Sequence, residues 1–494
     1  MSLGRSAARG GAVMLTGQIV RIAVQALSVV VLSRLLSPRD FGLVGMVMAV
    51  VAAAEIFRDM GLSTAAIQAK ELSRAQRDNL FWLNTAIGVL LAGIAFAAAP
   101  LIARVFDEQE LVPMTRALAP MFVLSGMSTQ YRADLIRRMQ FGRLTLADVS
   151  APVVGLGVAV VLATGGAGYW ALVLQLLAQY ATILVVVVVA AGWLPGRPRR
   201  GVPMASFLRF GWTLLGTQLV NYAASNADSL VIGTRLGAFQ LGLYNRAYQL
   251  VMNPISQLRG PVSSIGVSLL ARVQDDDARA QRYVEWGQVA LGGTIVVGLG
   301  VLSGAAQPFS ALLLGPQWDV STIVSLLAAA AAFQTLALVG YWVYIAQALT
   351  SRLFRYSMLS AVIKICCILI GSHWGAVGVA AGFAAAPAIS WPLSFWWLSR
   401  CAPLDVRPLL IGGVRMLALA ASVGLAARGG AIAADGSSPI VGVGVATACA
   451  VVAYGVLVLV VGPWRRDALI VLAAIRLALQ GTSRTAAEPV PVRS

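Results

Sequence analysis

Apolar runs of about 20 residues, interrupted by Gly, Pro or charge, recur along the whole chain. A helix of that length crosses about 30 Å of hydrocarbon. Fourteen such spans can be read: 12–34, 41–64, 80–103, 114–133, 146–164, 169–194, 207–233, 241–268, 284–307, 320–346, 354–371, 374–398, 408–427 and 440–462. The strict alternation over about ten residues that marks a membrane barrel strand does not compete with this pattern. The sequence therefore predicts an all-α polytopic membrane protein of about 14 transmembrane helices.

Two of these spans carry a polar stripe. In the seventh, Gln218, Asn221, Ser225 and Asp228 are three, four and three residues apart, which puts them on one helical face with Asn226 beside them. In the first, Gln18, Arg21, Gln25 and Ser28 repeat that spacing. The likeness continues beyond the stripes. SRLLSPRDFGLVG (Ser33 to Gly45) matches TRLGAFQLGLYNR (Thr234 to Arg246), pairing Gly42 with Gly242, and GGAGYWALVLQ (Gly165 to Gln175) is answered by SHWGAVGVAAG (Ser372 to Gly382). The expectation is two six-helix lobes, 1–200 and 201–402, related by pseudo-two-fold symmetry. Six spans per lobe is an even number, so both lobes enter from the same side and the axis lies along the membrane normal. Residues 403–463 hold an appended helix pair, 13 and 14. In 464–494, Trp464 to Gln480 reads as an interfacial helix on the inner surface and the rest as a disordered tail.

Composition narrows the class. Of 494 residues, 59% are hydrophobic and only 12% charged, which excludes an ordinary soluble globule. The formal charge of +17 is carried mostly by alternate connections, such as Arg137, Arg138 and Arg143 after the fourth span, Arg197, Arg199 and Arg200 after the sixth, and Arg465 and Arg466 after the last. The positive-inside rule then places both termini in the cytoplasm and accounts for the charge without nucleic acid. The basic N-terminus leads into a span longer than a signal peptide's apolar region, so it reads as an uncleaved first helix. Cys366, Cys367, Cys401 and Cys449 form no CxxC pair, and the one histidine, His373, has no partner for a metal site. No P-loop motif is found. Neither a metal nor a cofactor is expected.

Several stretches together resemble one family. DMGLSTAAIQAKELSRAQRDNLFWLN (Asp59 to Asn84), RRMQFGRLTLADVSA (Arg137 to Ala151), GYWALVLQ (Gly168 to Gln175) and the NADSLVIG stretch at Asn226 to Gly233, with Pro254 downstream, are similar to the polysaccharide-type flippases. These are the Wzx and WzxC-like exporters of the multidrug/oligosaccharidyl-lipid/polysaccharide superfamily. The resemblance covers roughly residues 10 to 400. It implies a V-shaped pair of six-helix lobes around a central cavity, working by alternating access in the bacterial inner membrane. The implied substrate is an undecaprenyl-pyrophosphate-linked oligosaccharide, with polysaccharide polymerase or export machinery as a further partner.

Ionised side chains inside a bilayer cost on the order of 3 kcal/mol each, so they are paired or face a wet cavity. Within the spans lie Arg21, Arg58, Arg246, Arg259, Lys364 and Arg415, against Glu55, Asp59 and Asp228. Arg21, on one face with Gln18 and Gln25, can hold a pyrophosphate; its alternative is a salt bridge to Asp228 or Glu55. Asp228 reads either as a coupling carboxylate or as a structural partner for an arginine. Glu55, Arg58 and Asp59 form a local ion-pair set or a cytoplasmic gate. Arg246 and Arg259 flank Asn253-Pro254 and can face one groove. Lys364 and Arg415 are expected to snorkel to the inner headgroups. Tyr341, Trp342 and Tyr344, with Trp391, Trp396 and Trp397, read as interface belt or packing before sugar stacking. The cationic surplus favours a lipid-linked oligosaccharide flippase over a cation-coupled drug or metabolite antiporter. The short loops argue against a membrane glycosyltransferase or polymerase.

Overall fold

A computed structural model describes residues 3–59, 61–69, 72–201, 205–273, 276–402 and 404–479. The tail beyond Leu479, read above as disordered, lies outside the described residues. All regular structure among the described residues is helical. The first helices are α1 (Leu3–Leu35), α2 (Pro38–Asp59), α3 (Leu62–Gln68), α4 (Arg74–Phe106), α5 (Leu111–Leu118), α6 (Pro120–Arg137), α7 (Phe141–Thr164) and α8 (Trp170–Ala191). Then comes α9 (Ala205–Ala271), two helices joined at Gly237, whose φ of 80° and ψ of 177° are open to glycine. α10 (Asp277–Leu291) passes through a π-turn at Gly292–Val296 into α11 (Val297–Gly304). After these follow α12 (Ala306–Leu314), α13 (Ser321–Ala346), α14 (Thr350–Gly371), α15 (Gly375–Ser399), α16 (Arg407–Ala433), α17 (Pro439–Val460) and α18 (Gly462–Leu479).

Each of the fourteen apolar spans falls mainly on helix among the described residues. Among the described residues, ten stretches are long and apolar enough to cross a membrane, and one of them, Thr350–Ser399, holds both α14 and α15. The fourth span is the exception in character. It divides at Ala119 into α5 and α6, and α6 carries Ser125, Ser128, Thr129, Gln130, Arg132 and Asp134 in 18 residues. The chain is a multi-pass membrane protein with one unusually polar helix in its first half.

Local chemistry sets the element ends. Ser73 caps α4 reciprocally: the Gln76 backbone N–H donates to Ser73 Oγ at 3.2 Å, and the Ser73 N–H donates to Gln76 Oε1 at 3.0 Å. That capping box satisfies two otherwise orphan donors at the helix start. α4 then packs on α6 with almost no gap. A Cβ at Gly88 would lie 2.5 Å from the Phe122 carbonyl oxygen, and one at Gly126 would lie 2.6 Å from that of Asn84. In lipid, where no hydrophobic force joins helices, such backbone approach supplies the association energy.

By its own contacts the chain forms two compact units, Met1–Arg246 with Leu313–Trp318, and Ala247–Leu312 with Asp319–Ser494. In the first unit, the Leu313–Trp318 segment docks on α1 and α2: Trp318 Nε1 donates to the Ser33 carbonyl at 2.8 Å, and its ring meets Phe41 at 5.6 Å. The same unit brings the matched glycines together. A Cβ at Gly42 would sit 1.6 Å from the Ala238 carbonyl oxygen, and one at Gly242 would sit 1.8 Å from that of Pro38. The numbering offset that pairs Gly42 with Gly242 also pairs Pro38 with Ala238, so each contact is the other seen from the opposite copy. Residue i meeting j while j's counterpart meets i's is what a local two-fold axis produces.

In the second unit, α13, α14 and α15 pack on one another, and α16 lies against α11 and α17. α18 packs on α10 and α17. Its anchor is Asp467, which accepts from Arg415 at 2.7 Å, while Trp464 Nε1 donates to the Arg415 carbonyl at 3.2 Å. Arg415 thus has a partner that the snorkelling expectation did not include. A carboxylate one helix away satisfies it, a contact that reading α16 alone could not reveal.

Candidate functional site

The second unit holds a partly open cavity of about 320 Å³, within the range of small-molecule sites. Four helices build it, each by one face. α9 contributes Arg259, one turn and more past Pro254. α13 contributes Gln334, Leu338, Tyr341 and Tyr344, at helical spacing. α14 adds Tyr356, Ser357, Ser360 and Lys364, and α15 adds Phe383, Pro387, Ser390, Trp391 and Ser394. The recurrence of three and four residues within each set keeps the set on one side of its helix.

Hydrogen bonds tie the wall together. Tyr356 OH donates to the Ser390 carbonyl at 2.9 Å, and Tyr344 OH donates to that of Ser394 at 3.2 Å. The two tyrosine rings stack at 6.2 Å with 14° between their planes, and the hydroxyls of Ser360 and Ser390 lie 3.1 Å apart. Arg259 Nη2 donates to Gln334 Oε1. Lys364 Nζ lies 4.6 Å from the centre of the Phe383 ring. Neither Asp nor Glu is among the lining residues. Two cations thus border a polar and aromatic cavity with no carboxylate among its described lining residues. Arg259 Nε and Trp391 Nε1, both in this wall, have no hydrogen-bond partner among the described atoms. Both orphaned atoms are donors.

Lys364, expected at the inner headgroups, lines this cavity. Tyr341, Tyr344 and Trp391 belong to it as well, whereas Trp342 fills the space beside Gly266 and Gly287. Gln334, Tyr356 and the serines of α14 and α15 were missed. Their only sequence signal is the spacing 356, 360, 364 on a helix that already holds an intramembrane lysine.

The polar groups of the first unit are arranged differently. Arg58 Nε donates to Glu55 Oε2 at 2.7 Å, Ser125 Oγ donates to the same oxygen at 3.1 Å, and Arg58 also donates to Thr129 Oγ1. The pair is three residues apart on α2 and closes against the polar face of α6. Asp228 is buried, and accepts from Tyr244 OH at 2.6 Å and from the Ser229 N–H at 3.0 Å. Arg246, also buried, lies with its guanidinium carbon 3.5 Å from the centre of the Phe41 ring. It belongs to the first unit and Arg259 to the second. Asn226 Nδ2 donates to the Tyr222 carbonyl one turn back at 3.1 Å, and Ser225 is exposed.

On α1, Arg21 and Gln18 are half-buried and Gln25 is exposed. Arg21 makes no ion pair among the described residues, and its buried Nε has no hydrogen-bond partner there. Both carboxylates offered to it by the sequence are engaged elsewhere, Glu55 by Arg58 and Asp228 by Tyr244. Two turns past Arg21, Ser28 Oγ accepts from Gln175 Nε2 at 3.2 Å. The side chains of Gln218, Asn221 and Asp59 lie outside the described residues.

Comparison with known proteins adds a family and a fold. Residues 31–323 match the family described as polysaccharide biosynthesis protein. Over 408 residues, 80% of this chain and 81% of the relative, the sequence is 26% identical to the lipopolysaccharide biosynthesis protein WzxC of Escherichia coli (strain K12). Over 223 residues, 44% of this chain and 46% of the relative, it is 32% identical to the teichuronic acid biosynthesis protein TuaB of Bacillus subtilis (strain 168). Among solved structures, the lipid II flippase MurJ in an inward closed conformation superposes with a TM-score of 0.67 at 12% identity, over 90% of this chain and 98% of that one. An inward-facing multidrug resistance MATE family transporter of the MOP superfamily follows with a TM-score of 0.57 at 16% identity, over 81% and 95%. At these identities the structural likeness speaks for the fold.

Proposed function

The chain belongs to the polysaccharide biosynthesis protein family, and from that premise we propose that it turns an undecaprenyl-pyrophosphate-linked oligosaccharide from the cytoplasmic to the outer leaflet of the bacterial inner membrane. It is a lipid-linked oligosaccharide flippase that works by alternating access, with both termini in the cytoplasm. The observation that carries this reading is the match to a lipopolysaccharide biosynthesis protein over four-fifths of both chains, on a scaffold shared with a lipid flippase. The charge pattern agrees. Arg21 and Arg259 are intramembrane cations without an acidic partner among the described ion pairs, and an anionic lipid-linked substrate supplies the missing charge.

On this reading the protein moves its substrate without making or breaking bonds in it. It hands the oligosaccharide to polymerase or export machinery on the outer side. Two lobes, 1–200 and 201–402, would rock about the axis on which Gly42 and Gly242 lie, and the reciprocal contacts of those glycines support that symmetry. The cation-coupled antiporter reading is weaker because such a transporter needs a membrane carboxylate not already engaged within the protein. Asp228 is held by a tyrosine hydroxyl and a backbone N–H, and Glu55 by an arginine and a serine.

Deletion of the gene tests the proposal. Lipid-linked oligosaccharide should accumulate on the cytoplasmic side, and surface polysaccharide should fall. A deletion strain that keeps normal polysaccharide and accumulates no lipid-linked sugar would overturn it.

A further inference from the structure

We infer that the connector between α8 and α9, residues 192–200, is a docking surface for anionic phospholipid headgroups, in the inner leaflet on the orientation proposed above. Its sequence, GWLPGRPRRG through Gly201, reads as a loose linker, since two prolines and three glycines oppose a helix. The structure instead fastens it along the start of α4. Asn79 Nδ2 donates to the Arg199 carbonyl at 2.8 Å, and the Arg199 N–H donates to Asn79 Oδ1 at 2.8 Å. Trp82 Nε1 donates to the Gly196 carbonyl at 2.7 Å. Trp193 Nε1 donates to Asp134 Oδ2 at 3.1 Å, and its ring lies 4.5 Å from that of Tyr131 and 3.9 Å from the Arg77 guanidinium carbon. A Cβ at Gly196 would lie 2.7 Å from Asp78 Oδ2, so the backbone itself rests on α4.

Around this strap the charges divide by sign. Asp78 and Asp134, the acids against which it rests, are buried. Arg197, Arg199 and Arg200 are exposed and make no ion pair among the described residues. Two more exposed arginines join them: Arg138 through Asp134 at 2.9 Å, and Arg143 through the Ala190 carbonyl. Depth says what they face. Ala191 ends one apolar span, Phe141 begins a second and Arg74 a third, so the strap lies where the hydrocarbon stops. Leu194, 74% exposed, stands among the arginines, with Met139 and Trp82 also exposed. An acidic soluble partner would match the charge but leave this apolar surface in water. The boundary between headgroups and acyl chains accepts both, and a Trp with its N–H engaged and its ring outward is typical of that level. Phosphate oxygens take charge-assisted bonds from guanidinium groups, each arginine near an anionic leaflet contributing about fivefold in affinity.

Photo-crosslinking from within the patch tests this. The full-length protein carrying Leu194→benzoylphenylalanine is placed in nanodiscs of equal phosphatidylglycerol and phosphatidylcholine, illuminated, and its lipid adducts are identified by mass. Phosphatidylglycerol adducts should exceed phosphatidylcholine adducts about fivefold or more, and the excess should shrink in about 1 M salt, where charges are screened within about 3 Å. Adding Arg197→Gln, Arg199→Gln and Arg200→Gln together should bring the ratio near one at unchanged unfolding temperature, because Arg199 holds Asn79 through its backbone. The three corresponding Arg→Lys changes should restore the excess. Equal adducts with the native arginines would overturn the proposal, as would a ratio indifferent to the glutamine changes. Crosslinks in cells to an acidic protein in place of lipid would overturn it too. The ratio with native arginines decides even if the triple variant fails to fold. The adducts report lipid class, not leaflet or transport, so this inference and the proposed orientation and flippase activity can fail separately.

Discussion

The two units use intramembrane charge in opposite ways. In the first, Glu55 and Arg58 neutralise each other on one turn of α2 and are held by Ser125 and Thr129. Asp228 is sealed under Tyr244, and Arg246 lies on the ring of Phe41. In the second, Arg259 and Lys364 border a cavity with no acid among its described lining residues. The contrast separates two reasons for placing a charge in a membrane. A matched pair reduces the insertion cost and fixes a helix face, whereas a cation left facing a cavity keeps its field for something that enters. Arg21 of the first unit, with neither Glu55 nor Asp228 as partner, falls on the second side of this division.

The largest effect should come from breaking a matched pair. The Glu55 and Arg58 side chains are only 20% and 12% exposed. Removing one partner leaves the other charge buried, which costs about 3–5 kcal/mol. Arg58→Ala should therefore lower the thermal unfolding temperature sharply in detergent. The double variant Glu55→Gln with Arg58→Gln, which leaves no buried charge, should recover most of the loss. If Arg58→Ala unfolds like wild type while export stops, the pair is a moving gate and the contrast between the units fails.

A smaller effect tests the symmetry at the junction of α2 and α9. Ala at Gly42 must displace the Ala238 backbone, and Ala at Gly242 that of Pro38. Overpacking of this kind costs about 1–3 kcal/mol. Because the two contacts are equivalents of one another, Gly42→Ala and Gly242→Ala should destabilise by similar amounts. Gly93→Ala, with no heavy atom within 4 Å of the added carbon, should not destabilise. Clearly unequal losses at Gly42 and Gly242 would break the equivalence that the repeat implies.

These residues also mark how far the sequence could be read. The fourteen spans were legible because lipid demands long uninterrupted apolar helices, and the Gly42 and Gly242 match was legible because close backbone approach leaves no other residue type. Arg259 stood out as a charge in an apolar run. Lys364 did too, but its place in the run says nothing about which neighbour it faces. Snorkelling and lining a cavity look alike from one helix. Tyr356 with Ser390, and Arg415 with Asp467, are contacts between helices 34 and 52 residues apart. Periodicity fixes a face but not the helix that covers it.

The smallest effect sharpens the comparison from within the second unit. One arginine of that unit does meet a carboxylate: Arg415 and Asp467 lie 2.6 Å apart, away from the cavity, and clamp α18. Burial holds the Asp467 carboxyl above the usual carboxylate range, against the opposing pull of Arg415. The folded protein thus keeps this proton to higher pH than the unfolded chain does. Its contribution to stability is full below the ordinary carboxylate value, about pH 4, and is lost as pH rises through the raised folded value. Protease protection of α18 should accordingly decline modestly from mildly acidic to neutral pH, and Asp467→Asn should flatten that decline. A wild-type profile that rises with pH instead would mean that attraction to Arg415 outweighs burial. The second unit would then hold its matched charges as firmly as the first, and only the cavity cations would stand apart.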